Sequence, residues 1–197
     1  MAMNKTTFFV LPHLPCDRNL KGLCGGRTLE GVSKFGYLFT KNIALNYEVH
    51  GDITAIVSSD LPRCIETVNL CFSDTGLPLL VESGLTAIDY GDYEDKTSKE
   101  LHANQLDYIV KRYPNGESFL DMVLRYQDTL DRLTEIHPNK TLLIVGHNET
   151  IPILRHLCSG IPVEEALCGD YEEHANNDSK TFYSTFSGPF TYAKQVN

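Results

Sequence analysis

The hydrophobic positions of this sequence fall into short continuous runs and into longer runs with helical spacing. The short runs predict buried strands at 6–11, 53–57, 79–81 and 141–145. Longer runs, with apolar residues every three or four positions, predict helices at 31–46, 61–71, 98–112, 118–136 and after residue 147. Aromatic runs at 181–186 and 190–193 predict closing strands. Strands that alternate with helices are typical of an α/β fold with a mostly parallel sheet.

Composition narrows the class of protein. The chain has 197 residues, a net charge of -9 and a pI of about 5.2, which suits one domain over residues 1–197. The acidic balance and the absence of a long basic run disfavour a nucleic-acid or membrane surface. No signal peptide or membrane span is evident, so we expect a cytoplasmic protein. The six cysteines form no CxxC pair, and we expect reduced thiols, no metal and no cofactor.

Polar residues follow three of the predicted strands. His13 follows the first strand, Ser58-Ser59-Asp60 and Arg63 follow the second, and His147 with Asn148 follows the fourth. Ligands of such sheets bind beyond the carboxyl ends of the strands, so the two histidines and the arginine are expected to converge. A lone histidine after a strand is more often structural, and spacing alone leaves both roles open.

This set of side chains has a chemical use. A neutral imidazole attacks phosphorus and carries the phosphoryl group, while an arginine fork and a second histidine hold the phosphate oxygens. Arg63 would also lie in the first turn of a helix, where backbone N–H groups favour anions. Two other hypotheses are weaker. Cys16 has no evident base partner, and the glycine motifs of nucleotide-binding domains are absent.

Four stretches, in order, resemble the histidine phosphatase superfamily, the phosphoglycerate-mutase-like group. They are FFVLPHLPCDRN (8–19), SSDLPRCIET (58–67), YPNGESFLDMVLR (113–125) and LLIVGHNETIPILRHLCSG (142–160). The third is nearest to the fructose-2,6-bisphosphatase-like branch. The resemblance implies a three-layer α/β/α fold with a mostly parallel central sheet. It also implies that His13 is the nucleophile, His147 its partner, and Arg63 and Asn19 phosphate ligands, with Asn148 as a further substrate-binding residue.

The sequence departs from the family pattern in the first motif. Pro12 stands where the family has an arginine before the nucleophile, and Leu14 stands where it has a glycine. Proline brings neither a charge nor an N–H. Three cations in the following loop are candidates to replace the lost charge: Arg18, Lys21 and Arg27.

A second departure affects the family's general acid, a glutamate that falls here on Ala87. Asp89 is the predicted substitute, with Glu94 as another candidate. Losing an acid costs about 10²–10⁴-fold in rate, and losing a charged donor costs about 10²–10³-fold. With both groups absent, the protein could still bind phosphate but would turn over a phosphate ester slowly.

The leading prediction is therefore a phosphohydrolase that acts on a small phosphate monoester through a phosphohistidine at His13. The alternative is a weakened or inactive family member that binds a phosphorylated ligand or a protein partner. The predicted partner is a small phosphorylated substrate, and a homodimer is left open.

Overall fold

Five strands form the central sheet of the computed structural model, which describes residues 4–40, 43, 52–168 and 187–194. They are β1 (Lys5–Pro12), β2 (Ile53–Ser58), β3 (Leu79–Val81), β4 (Thr141–Gly146) and β5 (Ser187–Ala193). Their order is β3-β2-β4-β1-β5, with β1 to β4 parallel and β5 antiparallel to β1. The prediction of a mostly parallel sheet is confirmed. The strand predicted at 181–186 lies outside the described residues.

The helices connect these strands. They are α1 (Asp17–Leu20), α2 (Pro62–Phe72), α3 (Ser98–Ala103), α4 (Phe119–Ile136) and α5 (Thr150–Ser159), and residues 163–168 are also helical. Ser118 caps α4 as predicted, because its Oγ accepts the Asp121 N–H at 3.1 Å while Asp121 accepts the Ser118 N–H at 2.9 Å. No helix in the described ranges is long and apolar enough to cross a membrane.

One predicted helix is shorter than expected, and part of another lies outside the described residues. The helix predicted at 98–112 ends at Ala103, since Asn104 is a poor helix former, and a 3-10 turn then stacks Tyr108 on Tyr113. Within 31–46, the described part holds a 3-10 turn at Gly36–Phe39, and Thr40 and Ile43 are helical. Before that turn, the Ser33 side chain and N–H both bond the Pro15 carbonyl, which fixes the start of this segment against the preceding loop.

The two faces of the sheet bury different side chains, because successive strand residues point to opposite sides. Phe8 and Val10 of β1 pack on the face that α4 and α5 cover, while Phe9 and Leu11 pack on the face that α2 covers. Helices therefore lie on both sides of the sheet. This confirms the three-layer α/β/α architecture.

Candidate active site

The carboxyl ends of β1 and β4 lie level with each other. Pro12 pairs with Gly146, so His13 and His147 are the first residues beyond the two strands, and the His13 N–H donates to the Gly146 carbonyl at 2.9 Å. On the other side of β4, the Ser59 N–H donates to the Val145 carbonyl at 3.0 Å. The strand register therefore brings both histidines and the start of α2 to one edge of the sheet.

His13 is oriented by its own loop. Its Nδ1 lies 2.7 Å from the Leu14 carbonyl, which can only accept, so Nδ1 carries the proton and Nε2 keeps a lone pair. The Arg63 Nε–H donates to that Nε2 at 3.1 Å. The lone pair a nucleophile needs is thus directed at the arginine that a phosphate would contact.

His147 has the opposite tautomer. Its Nδ1 lies 3.3 Å from Arg63 Nη2, which can only donate, so its Nε2–H donates to Ser59 Oγ at 2.9 Å. The His13 and His147 rings meet edge to face with centroids 5.5 Å apart. The Thr150 hydroxyl accepts the His147 N–H at 3.1 Å and fixes this turn at the start of α5.

Arg63 lies at the centre of the site and is closed off from solvent. Besides the two histidines, its guanidinium donates to the Thr28 carbonyl at 2.9 Å and to the Gly26 carbonyl at 2.6 Å. His13, Arg63 and His147 are 6%, 1% and 2% exposed. The loop at residues 25–28 therefore covers the site in this structure and occupies donors that a phosphate would need.

Burial and the Arg63 cation both keep the histidines neutral. Burial, with a smaller contribution from Arg63, lowers the pKa of His13 to about 3. The same two causes, in the same order, lower the pKa of His147 well below its usual value, with smaller contributions from His13 and Arg125. A neutral imidazole is the form that can attack phosphorus, and the Arg63 guanidinium is in direct contact with His13.

Sequence reasoning missed Thr67 and Ser59 as supporting residues. The Thr67 hydroxyl donates to the Arg63 carbonyl at 2.7 Å and accepts the Leu14 N–H at 2.9 Å, which ties α2 to the loop after His13. Thr67 lies one helical turn after Arg63, and Ser59 lies in the polar stretch after β2. These two positions in the sequence were the signals that could have identified Thr67 and Ser59 as supporting residues.

The other predicted phosphate-side residues do not join this group of contacts. Asn19 Oδ1 accepts from the Cys16 N–H at 3.1 Å and from Cys16 Sγ at 2.8 Å, within its own turn. Asn148 is exposed beside His147. Both remain predicted ligands, and neither contacts Arg63 or the histidines in this structure.

The candidate replacement cations are directed elsewhere. Arg18 donates to the Cys24 carbonyl at 2.9 Å and pairs with Asp95 at 3.1 Å. Arg27 pairs with Asp89 and Glu117, and Lys21 is exposed. The charge that Pro12 lacks is therefore not supplied by these three side chains in the closed arrangement.

The candidate acids lie in the segment after β3. Ala87 is buried, and its carbonyl accepts from Arg125 at 3.1 Å. Asp89 accepts the Gly91 N–H at 2.9 Å and pairs with Arg27 at 3.4 Å, so both of its oxygens are engaged.

Glu94 is the other candidate acid. Its carboxyl occupies the space that a Cβ on Gly26 would need, and it accepts the Arg27 N–H at 3.1 Å. Burial raises its pKa, and its Oε2 is buried without a partner.

The thiols near the site are poor nucleophiles. Burial raises the pKa of Cys64 to about 12 and also raises that of Cys16. Cys64 Sγ lies 3.7 Å from His147 Nε2 and packs as a buried side chain. No set of three or more potential ligands within the described ranges is arranged to hold a metal ion.

The fold and the site together define a class of protein in which two histidines and an arginine meet at the carboxyl edge of a parallel sheet. The profile of the Histidine phosphatase superfamily (branch 1) matches residues 16–177, and the chain belongs to this family. The matched segment begins three residues after His13, so the family assignment does not depend on that histidine.

Individual relatives are distant. The chain is 28% identical over 159 residues to "Bifunctional protein Rv2228c" of Mycobacterium tuberculosis, covering 77% of this chain but 44% of that protein. It is 28% identical over 155 residues to "Uncharacterized phosphatase PhoE" of Bacillus subtilis, covering 79% and 78%. The solved structure of the mycobacterial glucosyl-3-phosphoglycerate phosphatase Rv2419c has a TM-score of 0.68 at 23% identity, covering 83% and 84%. That likeness supports the fold alone.

Proposed function

We propose that this protein is a phosphohydrolase that cleaves a small phosphate monoester through a phosphohistidine on His13. The observation that carries the proposal is the His13 Nε2 lone pair, held neutral and directed at the Arg63 guanidinium 3.1 Å away. A phosphate monoester whose oxygens bind Arg63 would place phosphorus beside that lone pair. Phosphatase relatives at 28% and 24% identity support the same reaction class.

Substrate entry requires a change at the loop that covers Arg63. Phosphate oxygens would replace the Gly26 and Thr28 carbonyls as acceptors for the guanidinium, and residues 25–28 would move away from it. The P–O bond then breaks as the His13 Nε2–P bond forms, and water later cleaves the phosphohistidine to release phosphate. Arg63 donates to the equatorial oxygens during both steps, and the neutral His147, whose Nε2–H donates to Ser59, orients the guanidinium through its Nδ1.

Hydrolysis of p-nitrophenyl phosphate tests this proposal. His13→Gln keeps the size of the side chain and removes the nucleophile, and we expect it to reduce kcat/KM by about 10⁴-fold or more. His156→Gln, in the last turn of α5, where the His156 Nδ1 lies 2.7 Å from the Ile161 carbonyl, is the matched control and should leave the rate unchanged. Equal rates in wild type and His13→Gln would refute the phosphohistidine route.

Phosphoenzyme trapping gives an independent measurement. We expect wild type to become labelled by a radioactive phosphate ester in a form that is stable in base and labile in acid. The label should be absent from His13→Gln and present in His156→Gln. A label that survives in His13→Gln would place the covalent intermediate on another residue.

A second function is favoured by Pro12 and Ala87, together with the fact that Arg63 alone among the described cations is in hydrogen-bond contact with the histidines. In that case the protein binds a phosphorylated ligand without turning it over. Inorganic phosphate would then raise Tm in wild type, and Arg63→Ala would abolish the shift, while no phosphate ester is hydrolysed. Absence of any phosphate-induced shift would contradict both functions.

A further inference from the structure

The proposed reaction lacks a proton donor for the leaving group at the place where the family pattern puts one. Ala87 has no ionisable group, and its carbonyl is held by Arg125. Both Asp89 oxygens are engaged by the Gly91 N–H and by Arg27. Glu94, the other carboxyl of this segment, accepts the Arg27 and Tyr90 N–H groups through Oε1, and its Oε2 is buried against Gly26. A carboxyl from another part of the chain is therefore a further candidate donor for esters with poor leaving groups.

Glu149 brings a carboxyl to this segment from the opposite side. It lies two residues after His147, at the N-cap of α5, and its Oε1 accepts the Tyr90 O–H at 3.0 Å. Tyr90 lies three residues after Ala87 and is 2% exposed, so its hydroxyl is a fixed donor. The contact places the Glu149 carboxyl against the segment from which the acid is missing.

The same carboxyl acts electrostatically on Cys24, which precedes the loop that covers Arg63. Cys24 precedes Gly25, and a Cβ on Gly25 would lie 3.2 Å from Arg63 Cζ. Burial raises the pKa of Cys24 to about 11, and the nearby Glu149 charge is the second cause. Glu149 is therefore within electrostatic range of a residue that adjoins the proposed phosphate-binding arginine.

An unsatisfied hydroxyl lies in the same surroundings. Tyr113 is buried, packs edge to face on Tyr90 with centroids 5.1 Å apart, and its hydroxyl has no hydrogen-bond partner. A buried hydroxyl without a partner is costly, and a polar atom of a leaving group would satisfy it. The titratable groups facing Glu149 are Tyr90, Tyr113, Tyr126, Cys24 and His102.

We propose that Glu149 donates the proton to the leaving oxygen and that Tyr90 positions its carboxyl. This inference rests on the proposed function. As His13 Nε2 attacks phosphorus and the P–O bond breaks, the Glu149 carboxyl protonates the departing oxygen and becomes a carboxylate. That carboxylate then takes a proton from the water that attacks the phosphohistidine, which breaks the P–N bond, releases phosphate and restores the acid.

Leaving-group dependence tests this role, because a proton donor matters only when the leaving oxygen is basic. Glu149→Gln retains an acceptor for Tyr90 and cannot donate as an acid. We expect it to lower kcat/KM for phenyl phosphate by about 10²–10⁴-fold and for 2,4-dinitrophenyl phosphate by less than about threefold. Activity on the second ester also shows that the variant is folded. Glu164→Gln, on the exposed face of residues 163–168, is the matched control and should change neither rate.

Other outcomes separate this inference from the proposed function. An equal effect of Glu149→Gln on both esters, or no effect on either, would overturn the role of Glu149 while His13-dependent turnover stands. A selective loss in Asp89→Asn instead would assign the acid to Asp89. Wild-type rates that do not depend on His13 would remove the proposed function, and this inference with it.

Tyr90→Phe tests the positioning role. It removes the 3.0 Å hydrogen bond to Glu149 without altering the ring. We expect about a tenfold loss with phenyl phosphate and little change with 2,4-dinitrophenyl phosphate, since a misplaced acid affects only the ester that needs it. A purely structural role would reduce both rates together and would contradict the assignment.

Discussion

The candidate site has a strand-end side, formed by the residues that follow the parallel strands, and a facing side, formed by residues 84–97. The two sides depart from the family pattern in different ways. On the strand-end side, His13, Arg63 and His147 contact one another as the sheet register dictates. On the facing side, residues 84–97 carry Ala87 where the family has its acid. The three side chains of the strand-end group are therefore brought together although Pro12 supplies no charge, while the family's acid position carries no ionisable group. We expect phosphate binding and turnover to be separable in this chain.

Backbone and side chains contribute unequally to the two sides. The strand-end group is fixed by parallel pairing between β1, β4 and β2, which leaves the histidines little freedom. The facing side is built from 3-10 turns and loops, where ion pairs of Arg27 and Arg125 with Glu117 hold the chain. Loops tolerate sequence change better than paired strands, so a displaced acid is more easily accommodated than a displaced nucleophile.

The largest expected effect compares two arginines, one from each side. Arg63→Lys keeps the charge but loses the planar fork that contacts both histidines, and we expect kcat/KM for p-nitrophenyl phosphate to fall by about 10²–10³-fold. Arg27→Lys, whose ion pairs of 3.4 Å and 3.3 Å lie at the surface, should change it by less than about threefold. Comparable losses would show that Arg27 supplies charge to the phosphate.

The second prediction concerns the pH dependence of the free energy of unfolding, and it tests the strand-end side. The pKa of His13 is about 3 in the folded protein, so the unfolded chain binds the proton first as pH falls below about 6.5. Between pH 7 and pH 5, His13 alone should lower the free energy of unfolding by about 2 kcal/mol, and His147 adds in the same direction. Urea unfolding of wild type and His13→Gln at both pH values measures this. An equal loss in both proteins would contradict a neutral, buried His13.

Much of the strand-end side was predictable from sequence. Continuous apolar runs located β1, β2 and β4, and the carboxyl ends of parallel strands meet at one edge, so His13, Arg63 and His147 were expected together. The closing strand predicted at 190–193 lies within β5, but its antiparallel direction was not predicted, because an aromatic run carries no signal for strand direction. The covering of Arg63 by the loop at residues 25–28 could not be predicted either, because the guanidinium donates to backbone carbonyls of Gly26 and Thr28, and every residue has such a carbonyl.

The facing side was harder to predict. Asp89 is next to the missing acid in sequence, but its contacts are with Arg27 and Gly91. Glu149 is about sixty residues further along the chain, and only the tertiary contact between its carboxyl and Tyr90 brings it to this segment. A motif comparison examines neighbours in sequence and therefore overlooks a carboxyl supplied by another loop.

The third prediction restores a charge to the strand-end side. Pro12→Arg places a cation before His13, where Arg63 is now the contacting cation. We expect kcat/KM for p-nitrophenyl phosphate to rise about tenfold, because each positioned donor stabilises the developing phosphate charge. Pro12→Met, which adds a side chain of comparable reach without charge, is the control. A gain shared by both variants would point to relief of a proline constraint instead of added charge.

The smallest expected effect concerns the loop between the two sides. Gly25→Ala places a Cβ 3.2 Å from Arg63 Cζ and Nη2, so the clamped guanidinium must shift by a few tenths of an ångström. We expect kcat/KM to fall about threefold and the free energy of unfolding to fall by about 1 kcal/mol.

Gly22→Ala is the control, because its φ of +72° strains an alanine while the space around it is open. It should cost comparable stability and leave kcat/KM unchanged, which urea unfolding and p-nitrophenyl phosphate hydrolysis measure. If both variants lower kcat/KM alike, the loop acts through its backbone conformation and not through its contact with Arg63.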